Sequence, residues 1–494
     1  MTDTSVFPDP VYRDTVLAPL FDGVKAHFAA DMDAINQAHL VMLAETGIVS
    51  SADARALAGA LRDIGESLDL DALRYTGEHE DYFFLIEAEL RARLGDLGGA
   101  LHTARSRNDM DHTLFKMALR VRVEALTQDA LALSAALLAK ARSEATTPIV
   151  AYTHGQPAQP TTFGHYIAAA LEILLHDLER LDQAMERLTE CPMGAVAITT
   201  SGFAIDRARM AELLGFRSPR LNSYGCIAGV DYVTGLYSAI KLIFLHLGRV
   251  VQDLQFWSAF EVGQLAVPNA LVQISSIMPQ KRNPVPIEHM RHLASVAAGR
   301  CDVIVNTMHN TPFTDMNDSE GEVQQAGYGA FDSGQRMLKL MAAFLPACRI
   351  NSARVSANTD AACITITELA DTLVRDEALT FREAHEIAAA TSRAVIASGV
   401  PLSQGFDAFC DAFSARVGRD THLDEAAFSA AVTLEGFIAR RDRPGGPAPS
   451  ALTDAFATYD AMHASLEDRL RSHGQRRTDA ETARAAAFSE LTEG

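Results

Sequence analysis

Between Ser275 and Pro284 the chain reads Ser-Ser-Ile-Met-Pro-Gln-Lys-Arg-Asn-Pro, with Glu288 four residues on. Ser275 and Ser276 bring two adjacent hydroxyls, Lys281 an ammonium and Asn283 an amide. Pro279 and Pro284 bar helix for themselves and discourage it for the residues before them. Apolar, helix-like sequence flanks the segment, so a polar loop set into a helical protein is predicted. Such a loop can offer hydroxyl, ammonium and amide groups to one small anion. On its own it is equally a turn.

Three other segments carry polar groups at breaks in helical sequence. His102-Thr103-Ala104-Arg105-Ser106-Arg107-Asn108-Asp109 is dense in donors, and arginine forks suit carboxylates. The plainer reading is a helix-capping turn with solvated charges. Tyr152 to His165 is punctuated by Gly155, Pro157 and Pro160 and carries the pair Thr153-His154. A lone histidine is more often structural than catalytic, but this one stands in a loop at the mouth of a long helix. Thr311 to Glu322 is strongly acidic. It reads as a solvated loop or as a seat for the cationic part of a ligand.

Long helices must position these loops. In 167–188, Ile167, Leu171, Leu174, Leu178, Leu181, Met185 and Leu188 alternate by four and three, the pattern of helices packed nearly parallel in a bundle. The residues between them, His176, Asp177, Glu179, Arg180 and Asp182 among others, read as a polar outer face. The stretches 117–143 and 233–263 are similarly long and free of proline. Such helices imply an elongated bundle, shared between subunits because one copy would expose too much apolar stripe. Before the bundle, helices are expected over Ala29–Thr46, from a start at Ser51 or Asp53, and over Tyr82–Leu94. An alanine-rich helical region follows it. The division expected is 1–110, 111–365 and 366–494, with a final helical tail after the break at Arg443–Pro449.

With 494 residues, two to four domains is the starting expectation. A net charge of -20 argues against nucleic acid or an anionic membrane as the main partner. No uncharged apolar run reaches the roughly 18 residues of a membrane span. Met1-Thr2-Asp3-Thr4 lacks the basic and apolar regions of a secretory signal. Six cysteines without a CxxC pair read as reduced thiols of a cytoplasmic protein. No Gly-rich phosphate loop and no HExxH metal spacing is present.

The segments at 102–109, 152–165 and 275–288 resemble the three signature regions of the aspartase/fumarase superfamily, whose hallmark is Ser-Ser-x-Met-Pro-x-Lys-x-Asn-Pro. Within it the chain is most similar to the argininosuccinate lyase family, through Ser106-Arg107-Asn108-Asp109, Tyr152–His165 and Phe381-Arg382-Glu383-Ala384-His385. The resemblance implies an all-α, three-domain fold with a central long-helix bundle. It also implies a homotetramer with active sites shared between three subunits, and no metal or organic cofactor. The implied reaction is reversible elimination of an amine from an N-substituted aspartate, giving fumarate. Ser275 is implied as the base, and Lys281 and Asn283 as grips on the reacting carboxylate. His154, paired with Glu288, would lie near the departing nitrogen or the second carboxylate. Ser106, Arg107, Asn108 and Thr153 would orient the fumarate half, with Gln156, Ser276 and Met278 also binding substrate. Asn222-Ser223 marks a further region from which the family supplies an asparagine.

Departures cluster where the amine would sit. The family's Glu-Asp-(Val or Ile)-His reads Glu80-Asp81-Tyr82-Phe83, so Phe83 replaces a histidine. Val285 replaces the aspartate that usually follows Asn-Pro, and Ile274 a glycine before the serines. The run Tyr224–Val230 replaces an Asp/Arg-rich one. Asp315, Glu320 and Val323 stand where the family carries Tyr, Gln and Lys. The expectation is a carbon–nitrogen lyase with an altered leaving-group pocket built on Phe83, Val230, Val285, Asp315 and Glu320. Lyases of this type acting on aminocarboxylates such as ethylenediamine-disuccinate are a precedent. Argininosuccinate lyase proper is the alternative, and a non-enzymatic, crystallin-like structural protein is a third reading.

Overall fold

The structure is a computed structural model describing residues 7–493. The reading of Met1–Thr4 lies outside these residues. The first body contains helices α1 (Ala18–His27), α2 (Ala29–Glu45), α3 (Ser51–Ser67) and α4 (Tyr82–Leu94). The cap of α3 is Ser50, whose Oγ accepts the Asp53 amide N–H at 3.2 Å, one residue earlier than expected. Asp53 instead accepts the Ser50 hydroxyl.

Five long helices follow: α5 (Arg107–Ser143), α6 (Phe163–Leu188), α9 (Asp231–Ser258), α10 (Val285–Thr307) and α11 (Gly321–Ala347), with the short α7 (Arg207–Leu213) and α8 (Ser223–Ala228) between α6 and α9. They close a ring in which α5 packs on α6, α6 on α9, α9 on α10, α10 on α11, and α11 on α5. The expected stripe from Ile167 to Leu188 is buried throughout. The expected polar face of α6 holds in part. Asp177 is buried and accepts from His246 Nδ1 of α9 at 2.7 Å, so it is a seam residue rather than a solvated one. By length and composition α9 could cross a membrane, but in this fold it packs within the ring.

Helix α5 is buried on nearly all sides along its first half, and it carries cations there. Lys116 Nζ donates to the carbonyls of Arg187 (3.0 Å) and Glu190 (2.8 Å), at the end of α6. The Arg120 guanidinium donates to the carbonyls of Gly215 (2.7 Å) and Leu214 (2.9 Å), just past α7. Carbonyls left unpaired at helix C-termini are good partners for buried cations. Burial still lowers Lys116 to about 8 and Arg120 to about 10.

The ring has two distinct ends. At one, α5, α9 and α11 begin, and His112 Nδ1 lies 3.1 Å from the Tyr232 hydroxyl. At the other, α5, α9 and α11 finish and α6 and α10 begin. There Lys140 Nζ reaches the Cys348 carbonyl at 3.0 Å, and the Tyr166 hydroxyl donates to Asp253 at 2.8 Å. At 1.5 Å per residue, α10 spans about 35 Å and α5 about 55 Å.

The region expected over 366–494 holds two things. Helices α12 (Ile366–Asp376), α13 (Phe381–Ser398), α14 (Phe406–Val417) and α15 (Glu425–Val432) share a small core of their own. The 45-residue α16 (Pro449–Glu493) leaves that core and runs along α5, α6, α3 and α2, burying Leu452, Phe456, Tyr459 and Leu466 in the main one.

Candidate active site

At the first end, Ser106 caps α5 in a reciprocal box with Asp109, whose Oδ1 accepts the Ser106 amide N–H at 3.0 Å. Asp109 Oδ2 also accepts the amides of Gly194 and Val196, both at 2.9 Å. The carboxylate thus ties the first turn of α5 to the 194–197 loop, where Asn108 Nδ2 donates to the Ala197 carbonyl at 3.3 Å. Val196 is held at φ 56°, unusual for a β-branched residue. Burial raises Asp109 to about 6, against the pull of the three amides and Arg105.

Beneath this turn Arg105 is buried, donating to Asn36 Oδ1 at 2.7 Å, with its guanidinium 5.6 Å from the centre of the Phe83 ring. Arg107 turns the other way. Its Nη1 donates to Glu80 (2.9 Å) and Asp81 (2.7 Å), so this arginine is already engaged by carboxylates of the chain itself.

Arg107 and Asn108 open onto a cavity of about 360 Å³. Glu80, Asp81, Asp111, Asp315 and Glu320 line it, with Phe83 and an apolar wall that includes Leu20 and Phe21 of α1, Phe28 between α1 and α2, and Phe115 of α5. Burial raises the carboxyls of Asp315 and Glu320 above their ordinary range. Burial, then the neighbouring Glu320 and Asp81, raises Asp111 well above it. Asp111 was missed in the sequence, although it stands four residues after Arg107 and therefore on the same face of α5. Of the five residues expected around the leaving group, Phe83, Asp315 and Glu320 meet in this cavity. Val230 caps α9 at the same end without lining the cavity, and Val285 begins α10 at the opposite end of the ring. Asn222 is the N-cap of α8 and accepts from Gly225 at 3.2 Å.

At the second end, the segment expected as a loop is a hairpin of β1 (Pro148–Thr153) and β2 (Gln156–Thr162). Its two turn residues, His154 and Gly155, have φ 55° and 75°, as a tight primed turn requires. Thr153, His154 and Gln156 are exposed at its tip. Gln264 bonds both polar groups of the Val150 backbone and fixes the hairpin beside the segment that follows α9.

The Ser275 loop lies at this same end. It is closed by pairing of β3 (Gln273–Ile274) with β4 (Arg282–Asn283) and rooted by Arg282, which donates to the Val267 carbonyl at 2.7 Å and to Asn269. Ser275 Oγ accepts the Met278 amide N–H at 3.1 Å, with the Ile277 amide at 3.4 Å. Met278, Lys281 and Asn283 line an open groove of about 970 Å³. Ser276 is exposed, as is Glu288 in the first turn of α10. The expected pairing of His154 with Glu288 does not form within the chain: neither side chain has an ion-pair partner among the described residues. Ile274 and Ile277 are 75% and 83% exposed, apolar side chains at the rim of a polar loop.

The structure therefore groups Thr153, His154, Gln156, Ser275, Lys281, Asn283 and Glu288 at one end, and Ser106, Arg107, Asn108 and the acidic cavity at the other. Helices about 35–55 Å long separate the two sets.

A family profile described as "Lyase" matches residues 25–299, and one described as "Argininosuccinate lyase C-terminal" matches residues 363–439. The chain is 56% identical to Argininosuccinate lyase 2 of Agrobacterium fabrum, over 99% of this chain and 97% of that one. It is 33% identical to the argininosuccinate lyase of Halorhodospira halophila, over 84% and 87% of the two chains. Among solved structures it resembles EDDS lyase in complex with formate (TM-score 0.86, 26% identity, 98% of this chain and 96% of that one). A class II fumarase from Schistosoma mansoni shares the fold (TM-score 0.66, 14% identity, 86% and 92% covered).

Proposed function

The chain belongs to the argininosuccinate lyase family of the aspartase/fumarase superfamily and is a carbon–nitrogen lyase, and we propose that it cleaves an N-substituted aspartate reversibly to fumarate and an amine. Ser275 is the base. It takes the proton from the carbon beside the reacting carboxylate, and an aci-carboxylate forms. The carbon–nitrogen bond of the protonated substrate nitrogen then breaks, its electron pair goes to that nitrogen, which leaves as the neutral amine, and fumarate remains. The observation that carries this reading is the hydrogen bond donated by the Met278 backbone N–H to Ser275 Oγ: an oxygen that accepts N–H donors is an oxygen whose anion is favoured. Lys281 and Asn283, on the same loop, grip the carboxylate that accumulates charge. Ser276, Met278, Gln156 and Thr153 complete that half. His154 is supported by Glu288 at the departing nitrogen or the second carboxylate, and Ser106 and Asn108 orient the fumarate skeleton.

Separation of the two sets of residues supports an active site assembled from several copies. A homotetramer sets one copy's second end against another's first, brings Val285 towards an acidic cavity, and covers Ile274 and Ile277. All six cysteines are free thiols, in keeping with a cytoplasmic enzyme.

Argininosuccinate lyase proper is the second reading, favoured by the name of the Agrobacterium fabrum relative. Fumarate absorbance on incubation with argininosuccinate separates the two. Turnover on the order of tens per second supports the second reading, and its failure alongside turnover of another N-substituted aspartate supports the first.

A further inference from the structure

We infer that one buried water is a fixed part of the Ser106–Asn108 turn. It sits in a cavity beneath the turn, bridges Arg105 to Glu87, and makes Arg105 the positioning residue of that turn. The site rests on geometry alone, and its effect on fumarate rests on the lyase reading above.

The cavity measures about 10 Å³, the room that one water needs. Its walls come from α2, α4 and the segment 98–105 of a single copy. Asn36, Phe83, Gly98 and Arg105 are buried there, with Glu87 and His102 half-buried at the rim. Gly98 brings its segment down onto α4, since a Cβ at this position would lie 2.6 Å from backbone atoms of Leu90 and Arg91. Phe83 lines this cavity and the acidic one alike, its ring centre 4.9 Å from that of His102 and 5.6 Å from the Arg105 guanidinium. The ring is thus the wall between the two, and it keeps the water apart from the substrate.

The polar groups of the lining residues match a water. Arg105 is only 6% exposed, and its Nε is buried without a hydrogen-bond partner among the described residues. A buried N–H left unbonded is costly. Asn36 gives its Oδ1 to Arg105 Nη1 at 2.7 Å, which leaves its amide N–H groups as donors. His102 Nδ1 is buried and equally unpartnered. Burial, then Arg105 and Arg107, hold His102 below its ordinary value, so the ring is neutral and Nδ1 can accept. Glu87 gives Oε1 to Arg91 at 3.1 Å and keeps Oε2 as an acceptor. Two donors and two acceptors suit a molecule that accepts twice and donates twice. An anion would meet Glu87, and a cation would meet Arg105. Arg105 immediately precedes Ser106, so Asn36 ties the turn to α2 on one side and the water ties it to α4 on the other.

The test joins a high-resolution crystal structure of the full-length enzyme to fumarate calorimetry on its variants. The crystal should show one ordered water about 3 Å from Arg105 Nε and within reach of Glu87 and His102. An empty cavity, or an anomalous peak there after a bromide soak, overturns the water. Glu87→Leu removes an acceptor and should weaken fumarate binding by roughly 10-fold, the scale of one hydrogen bond to a charged group, at unchanged stoichiometry. Misfolding would lower the stoichiometry instead and leave the Kd where it was. Glu87→Gln keeps an acceptor oxygen and restores the Kd. Arg91→Gln removes the ion pair on Glu87 outside the cavity and leaves the Kd unchanged. An unchanged Kd in Glu87→Leu, or equal weakening in Glu87→Gln or Arg91→Gln, overturns the positioning role while the lyase reading stands. No fumarate binding by the unsubstituted enzyme overturns the positioning role and the lyase reading together.

Discussion

The two ends of the helix ring are built on opposite plans. The second end presents Ser275, Lys281 and His154 on a short hairpin and a small closed loop, with Lys281 and His154 exposed and Ser275 half-buried. The first end is dense and largely buried. There one carboxylate, Asp109, holds three backbone amides, and five others surround a small cavity. On the reading proposed above, the second end carries the groups for the fumarate-forming step. The first end carries most of the departures in sequence, Phe83, Asp315 and Glu320 among them, while Val285 and Ile274 stand at the second; at the first end the site and the fold share residues. On that reading, chemistry and selectivity are separable along one bundle.

Substitutions can break that contrast. Ser275→Ala lowers fumarate formation from any accepted substrate by roughly 10²- to 10⁴-fold, the usual contribution of a positioned base. It leaves the thermal midpoint unchanged, since the side chain supports only its own loop. Asp109→Ala behaves oppositely. It strands three amide N–H groups in a buried turn, at a cost of about 3–5 kcal/mol, read as a lower denaturant midpoint, and activity falls with it. A Ser275→Ala protein that is as destabilised as Asp109→Ala would erase the distinction between the ends.

A gentler probe is pH. Asp111, Asp315 and Glu320 are raised by burial, and Asp111 and Glu320 further by neighbouring carboxylates, so these carboxyls retain protons above the ordinary carboxylate range. A bound cationic amine favours the ionised forms and expels those protons. The KM for the amine should therefore fall as pH rises through the raised values, while the KM for fumarate does not follow. Calorimetry in two buffers of different ionisation enthalpy should register proton release with the amine only.

Much of the fold was legible in the sequence. The alternation from Ile167 to Leu188 is strong because a stripe buried along a whole helix leaves few exceptions, and Asp177 was misread because a carboxylate paired across the seam looks solvated in one dimension. Ser50 and Ser51 are chemically equivalent as caps, so the choice fell to backbone geometry. The β1–β2 hairpin was not read as strands because Pro157 and Pro160 weaken the pattern, although His154-Gly155 is a fair tight-turn pair. Nothing in the alanine-rich tail says that α16 packs against the bundle rather than beside α12–α15, since small residues pack on many surfaces. The signature loops were legible by resemblance. The acidic cavity was legible only in part, because Asp315 and Glu320 meet Asp111 through folding across more than 200 residues.

The claim on which the rest depends is that the Ser275 loop and the Ser106–Asn108 turn act together only across copies. Mixing Ser275→Ala with Asn108→Ala, each inactive alone, under conditions that exchange subunits tests it directly. Random assortment pairs an intact loop with an intact turn in roughly a quarter of the sites, so activity should return to about that fraction of the unsubstituted enzyme. Mixtures that stay as inactive as their components, with exchange verified by mass, would contradict it.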